Sequence, residues 1–355
     1  MIKMSRPQLN PLISIIVPAH NAGEVMSLTV QSILQQSYAD FELIIVDDGS
    51  TDSTKQICDQ FCRSDSRVRY FFQENKGVSA ARNAGITLSK GQFILFVDSD
   101  DTLETTMLDK LKNCFSGKDV DLAFCGFNVI GDDSRQNDME SLRQFTGTIT
   151  REEVLANLIS TDSSRQFLGY VWRFLFRRET IKRFNIFFKL RMHISEDFQF
   201  IVEYVTHCRK ISVIPEKLYN YQIHTGSVTA HYIPSLPKDM ISVNEWVREN
   251  ILSIYPMLQE GWDNCVANTY LSIVQNYCRV GTPERIWKRV VLSYQIKKRY
   301  AFSKFVWLSI KSRGTRLKAK FALVLFVLNM DWLYVFLYSA KHGTLKKSEE
   351  KTDYE

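Results

Sequence analysis

The chain has 355 residues, 45% hydrophobic and 24% charged, enough to bury a sizeable core in two or three domains. That composition excludes a disordered, collagen-like or disulfide-scaffold protein. The net charge of +6 is uneven: Arg285 to Lys320 holds 12 Lys or Arg and no acid, so the other residues carry the +6 less those 12, or −6.

The first residues, MIKMSRPQLNPL, contain no apolar core long enough for a signal peptide. Leu12 to Val17 reads as a short strand ended by Pro18-Ala19-His20-Asn21, and Val25, Leu28, Val30, Ile33 and Leu34 predict a helix after it. Phe41 to Val46 is a second strand, closing in Asp47-Asp48-Gly49-Ser50-Thr51-Asp52, where Ser50 or Thr51 is expected to cap a helix reaching about Cys62. Val68 to Phe72 is a third strand. It leads through Glu74-Asn75-Lys76-Gly77 into a helix from Val78 to Ser89 that carries Arg82 and Asn83 in its second turn. Phe93 to Val97 reads as a strand buried on both faces, and Val120 to Val129 as a fifth. Strand and helix alternate with short connections, which predicts an α/β fold with a mainly parallel sheet flanked by helices.

The fourth strand ends in Asp98-Ser99-Asp100-Asp101. Carboxylates this close repel one another, and a divalent cation with a preference for hard oxygen ligands, Mg²⁺ or Mn²⁺, relieves the repulsion. In open α/β sheets ligands bind beyond the carboxyl ends of the strands, where this cluster falls. The competing reading is that these acids cap a helix beginning near Thr102. The carboxylate after the second strand is placed to accept hydrogen bonds from a base or ribose. No GxGxxG follows the first strand and no GxxxxGK[ST] occurs, which disfavours both a dinucleotide-binding Rossmann domain and a P-loop enzyme.

Four segments in order, SIIVPAHNA, FELIIVDDGSTDST, NKGVSAARNAG and GQFILFVDSDD, resemble the nucleotide-sugar half of a family 2 glycosyltransferase with the GT-A fold. The likeness is strong over about Ile13 to Leu103 and looser to about Thr229. It implies that Pro18, Ala19 and Asn21 line the nucleotide edge, that Asp48, with Asp47 beside it, meets the uracil, and that Arg82 lies near the nucleotide. Asp98 and Asp100 become the ends of a DxD motif, Asp98 facing the ribose and Asp100 bonding a Mn²⁺ or Mg²⁺ ion.

Downstream, Ser195-Glu196-Asp197 opens a helix, and Ser195 with acids behind it reads as an N-cap with no further role. The resemblance adds an ED pair whose Asp, here Asp197, is the catalytic base; an acceptor hydroxyl attacking an anomeric carbon needs such a carboxylate. Pro215 to Thr229 resembles the family segment that often reads Y-R-x-H-x-x-S. It offers His224 as a metal or phosphate ligand and Ser227 as a phosphate donor, with Gln222 where many relatives have Arg. Trp172 and Arg173 resemble an acceptor-side segment, or else an aromatic element packed on the sheet.

Beyond about Ser235 the chain reads as helical, rich in Trp, Tyr and basic residues. Phe321 to Ala340 is long enough to span a bilayer, but Asp331 near its centre makes a helix lying in the membrane interface, or packed on the catalytic domain, the better expectation. Seven scattered cysteines with no CxxC suit a reducing compartment. The expected layout is a catalytic domain over 1–235, with a nucleotide-sugar half at about 12–130 and an acceptor half at about 131–235, and a basic helical region over 236–355. The expected function is inverting, metal-dependent transfer of a sugar from a nucleotide donor, UDP-linked by preference, to a hydroxyl of a lipid-linked glycan in cell-surface polysaccharide synthesis. Polyprenyl phosphate as acceptor is the enzyme alternative, and a non-catalytic nucleotide-sugar or glycan-binding module the alternative of another class. No nucleic-acid partner is expected; the basic tail suits an anionic membrane surface, at the cytoplasmic face of the plasma membrane.

Overall fold

The structure, a computed structural model, describes residues 12–116, 119–131, 145, 147–159, 169–223, 231–311, 317–341 and 343–344. The chain divides into two compact units, residues 1–155 with 167–223 and residues 156–166 with 224–355.

The first half of the chain runs β1 (Ile13–Ala19), α1 (Met26–Leu34), β2 (Phe41–Asp48), α2 (Thr54–Ser64), β3 (Val68–Gln73), α3 (Val78–Leu88), β4 (Phe93–Phe96), β5 (Thr102–Leu103), α4 (Met107–Asn113), β6 (Leu122–Ile130), β7 (Gly147–Thr150) and α5 (Arg151–Ile159). It continues with β8 (Phe174–Arg177), α6 (Arg178–Phe184), α7 (Glu196–Thr206) and β9 (Lys210–Gln222). The strands form one nine-stranded sheet in the order β3-β2-β1-β4-β8-β6-β9-β5, with β7 also on β9. β3, β2, β1 and β4 pair in parallel, as do β6 and β9; β8, β5 and β7 run against their neighbours.

β1 and β2 are each centred on a β-branched run, Ile15-Ile16-Val17 and Ile44-Ile45-Val46, and every residue of both strands is buried. Alternation sends them to opposite faces: Ile13, Ile15 and Val17 join one core with Met26 of α1 and Cys58 of α2, while Ile44 and Val46 meet Ala81 of α3 on the other. Helices on both faces are what such near-continuous apolar strands require. α3 lies close on β1; a Cβ at Gly85 would come within 2.3 Å of Ile16 Cγ2. From β1 the chain steps outward to β2 and β3, then returns to the other side of β1 as β4. That reversal places the carboxyl ends of β1 and β4 at the switch point where ligands bind in open α/β sheets.

Three local expectations are corrected. α2 begins at Thr54, and Asp52 rather than Ser50 or Thr51 receives its first N–H, from Thr54 at 3.0 Å. Ser50 and Thr51 are occupied with Asn21 instead. No helix begins near Thr102; Thr102 and Leu103 pair with Asn220 and Tyr219 of β9, and α4 starts only at Met107. Leu28, one of the apolar residues whose spacing predicted α1, is exposed, and Met26, Thr29, Val30 and Ile33 are buried.

The second unit contains α8 (Leu236–Asn250), α9 (Gln259–Tyr277), α10 (Ile286–Arg299), α11 (Phe302–Lys311), α12 (Leu317–Val327) and α13 (Asp331–Lys341). α9 packs against each of the other five. The apolar stretch Phe321 to Ala340 is not one helix. It breaks between α12 and α13, where Asn329 takes φ 56°, a left-handed conformation that ends helices, and Met330 N–H donates back to Leu325 O at 2.8 Å. Asp331 opens α13 fully buried, accepting from Lys297 Nζ at 2.5 Å and from the Tyr270 hydroxyl. An internal salt bridge therefore satisfies the acid that made a membrane span unfavourable. Among the described residues no helix is long and apolar enough to cross a membrane.

Candidate active site

The loops after β1 and β2 are laced together at the switch-point edge. Pro18 and Ala19 close β1 and are buried, in register with Val46 and Asp47 of β2. Asn21 takes φ 49°, a left-handed conformation that Asn tolerates. Its N–H donates to Ser50 Oγ at 2.9 Å, and its Oδ1 accepts from Thr51 N–H at 2.9 Å. Asp47 accepts from Ser50 N–H at 2.8 Å and from the Tyr70 hydroxyl at 2.6 Å. Asp48 accepts from Gln73 Nε2 at 2.7 Å and from the N–H groups of Lys76 and Gly77, both at 2.8 Å. An ionised carboxylate has about four acceptor positions, so these three donors leave Asp48 room for one more N–H.

The centre of the site is Arg82 on α3, 4% exposed. Its Nη1 donates to Asp197 Oδ1 at 2.7 Å and Glu196 Oε1 at 3.3 Å, and its Nη2 to Asp98 Oδ1 at 3.0 Å. One guanidinium thus joins the end of β4 to the start of α7, although 115 residues of sequence separate Arg82 from Asp197. Burial opposes the charge on Arg82, but Asp197, Asp98 and Glu196 outweigh it and raise its pKa. Burial also pushes the Asp197 carboxyl up to about 7; Arg82 pulls it down, while Glu196 and Asp98 push it further up. Its second oxygen accepts the Val171 N–H at 3.2 Å.

Ser195 precedes α7 at φ 69°, and in that left-handed conformation its hydroxyl makes no cap hydrogen bond, which corrects the expected N-cap. The acids at the start of α7 are therefore turned to Arg82 rather than to a capped helix end. Asn83, beside Arg82, exchanges two 2.9 Å hydrogen bonds with the backbone of Phe188. Phe188 stacks on Phe200 of α7 at 4.1 Å, so the Arg-Asn pair grips α7 both by charge and through its approach segment.

The acids after β4 separate in role. Asp100 is half-buried at the edge. Asp101 is turned fully inward, accepting from the Tyr219 hydroxyl at 2.6 Å and Gln222 N–H at 2.7 Å. Burial, with the charges of Asp98 and Asp100 adding to it, raises its pKa to about 8 against those hydrogen bonds. Tyr219 also accepts the Asp98 N–H at 3.2 Å, fastening the motif to β9. Among the described residues no group of three or more His, Cys, Asp or Glu could hold a metal ion by itself. Asp98 Oδ1 is taken by Arg82, which leaves the half-buried Asp100 as the carboxylate of the motif whose chemistry suits a Mg²⁺ or Mn²⁺ ion; such ions take few carboxylates and complete their shell with phosphate and water. His224 and Ser227 lie outside the described residues.

Trp172 and Arg173 are both 2% exposed and pack within the sheet layer. Arg173 Nε donates to Cys125 O at 2.8 Å, and Trp172 stacks on Tyr219 at 4.1 Å with Tyr170 on its other side at 5.1 Å. They support the site from beneath, and Tyr170 is the exposed member of the stack. Sequence reasoning grouped Asp101 with Asp98 and Asp100 without giving it a role of its own, assigned none to Tyr219, and missed the tie between Glu196 and Arg82. The acid run itself signalled Asp101; nothing local signalled Tyr219.

Residues 14–179 match the family model described as Glycosyl transferase family 2. Glycosyltransferase GlyG of Streptococcus pneumoniae is 33% identical over 245 residues, 66% of this chain and 79% of that protein. The uncharacterized glycosyltransferases EpsJ of Bacillus subtilis and YibD of Escherichia coli are 33% and 31% identical, over 62% and 61% of this chain. The chain spans about 63% of the length of each. Among solved structures, Staphylococcus aureus TarS 1-349 in complex with UDP aligns with TM-score 0.66 and 17% identity over 95% of this chain and 93% of that one. The mannosyltransferase PcManGT from Pyrobaculum calidifontis, in complex with GDP-Man and Mn²⁺, aligns with TM-score 0.56 and 14% identity over 96% and 89%.

Proposed function

The chain belongs to glycosyltransferase family 2, and we propose that it moves a sugar from a nucleotide-sugar donor to a hydroxyl of a glycan acceptor, inverting the anomeric carbon. In this reading the donor is UDP-linked and the acceptor is a lipid-linked glycan of a cell-surface polysaccharide. The observation that carries the reading is Arg82 joining Asp98, at the switch-point end of β4, to Asp197 at the start of α7. TarS with UDP or UDP-GlcNAc and PcManGT with GDP-Man support the donor class, and a relative named for teichuronic acid biosynthesis supports the product class.

Asp197 takes the proton of the acceptor hydroxyl as that oxygen bonds to the anomeric carbon and the bond to the diphosphate breaks. Glu196 and Arg82 position it, Glu196 raising its proton affinity and Arg82 restraining the rise. Arg82 also keeps a fixed positive charge beside the departing diphosphate. Asp48 receives the base, with Asp47, Pro18, Ala19 and Asn21 shaping that edge, and Asp98 faces the ribose. Asp100, with His224, would hold Mn²⁺ or Mg²⁺, which as a Lewis acid supplies charge neutralisation to the diphosphate. Ser227 donates to the same phosphates.

Donor hydrolysis by the purified protein tests this, run across UDP-, GDP- and dTDP-sugars with Mn²⁺, Mg²⁺ or EDTA. Slow metal-dependent release of one nucleotide, lost in Asp100→Ala, is expected. Silence with every donor, and no metal-dependent UDP binding, would leave a binding module in its place.

The pH profile follows from the burial of Asp197. Its carboxyl is raised to about 7, so the ionised base is lost as pH falls through that value, and kcat/KM should decline below about 7 rather than below the usual carboxylate range. Glu196→Gln removes one of the charges that raise Asp197, so the acid limb should move to lower pH. An unmoved limb would assign the titration to another group.

A further inference from the structure

The surface of residues 285–341 has a composition that the catalytic reading does not use. Its one acid, Asp331, is buried and held by Lys297 and Tyr270, so this span presents basic and apolar groups to the outside and no carboxylate. α12 buries Ala322, Leu323, Leu325 and Phe326 inward, and α13 buries Val335. Yet their outer faces are apolar too: Phe321 and Val324 on α12 and Leu328 just past its end, with Trp332, Phe336 and Leu337 on α13, are between 39% and 60% exposed. The spacings 321, 324, 328 and 332, 336 each make one stripe of a helix. The two helices pack against each other across a short turn. A helix that is apolar all round has normally found an apolar surrounding on every side. Here the inner side has one within the unit and the outer side does not.

Lys320 and Lys341 stand at the ends of this hairpin, and α10, which packs on α13, exposes Trp287 and Tyr294 together with Lys288, Lys298 and Arg299. Trp and Tyr beside Lys and Arg are the residues that favour the headgroup layer of a membrane. Each hairpin helix has 11 residues, about 16 Å at about 1.5 Å per residue, against a hydrocarbon core of about 30 Å. Neither can span, but both can lie in the boundary between headgroups and chains. We propose that the outer face of α12 and α13, with the basic side chains of α10 beside it, docks on an anionic lipid bilayer. A second copy of the chain is the rival occupant. Its own acid-free surface would set like charges against like across a two-fold interface, which an anionic bilayer turns into attraction.

The test is co-sedimentation of the full chain with vesicles of phosphatidylcholine alone and of phosphatidylcholine and phosphatidylglycerol in equal parts. Wild type should partition onto the mixed vesicles at least about tenfold more strongly than onto the neutral ones. Phe321→Gln/Trp332→Gln/Phe336→Gln should reduce that binding by more than about tenfold. Lys298→Gln/Arg299→Gln should do so by about fivefold for each charge removed. All five positions are exposed, so unfolding temperature and donor hydrolysis should match wild type in both variants. Equal binding to both vesicle types, no binding, or binding unchanged by both variants would overturn the proposal. So would a wild-type dimer in solution that the triple variant makes monomeric. A protein that binds mixed vesicles but hydrolyses no donor would refute the reading of the catalytic site and leave this one standing.

Discussion

Asp197→Asn is expected to lower kcat by about 10²- to 10⁴-fold, the usual contribution of a positioned general base, with donor KM close to wild type. Asn keeps the size of the side chain but cannot take a proton near neutral pH. The substitution also has a structural cost. Asp197 accepts from Arg82 with one oxygen and from Val171 N–H with the other, and Asn has one acceptor oxygen for those two donors. Arg82 retains Glu196 and Asp98, so the cluster should survive, and an unfolding curve with single-turnover kinetics separates lost chemistry from lost fold. A variant that folds and keeps more than about a tenth of wild-type kcat would place the base elsewhere.

Asp331→Ala is expected to destabilise the second unit by about 3–5 kcal/mol, the cost of leaving a buried charge without its counter-ion. Lys297 is 3% exposed, and besides Asp331 its ammonium has the Phe326 carbonyl at 3.0 Å and Asn329 Oδ1 at 3.1 Å, both neutral. Tyr270 would lose its carboxylate acceptor in the same step and keep only the Ser293 carbonyl at 3.2 Å. Replacing both charges, as in Lys297→Met/Asp331→Leu, should restore most of the loss, because an apolar pair of similar volume avoids desolvating two ions. Denaturant unfolding of the three proteins decides between the readings. If Asp331→Ala were nearly neutral, the pair would be solvated and the break between α12 and α13 would need another cause.

The acid runs were legible because each stands directly after an apolar strand, and a strand's end can be read locally. Arg82 could be placed on a helix by the same reasoning, and its grip on Asp197 could not. The nearest sequence hint to that grip was the ED pair itself, which a helix start explains equally well.

The sequence by itself determined the alternation of β1 to β4 with their helices, because apolar runs and the period of side-chain exposure depend on neighbours within a few residues. It also determined that the acids Asp47, Asp48, Asp98 and Asp100 gather at one edge, since parallel strands bring their carboxyl ends together. Only the tertiary structure decided where each acid turns. Asp101 turns inward because Tyr219 and Gln222 of β9 reach it from 118 and 121 residues away. Phe321 to Ala340 divides into two helices because Lys297 and Tyr270 draw Asp331 into the core. A buried charge goes where its partner is, and the partner's position is a property of the fold.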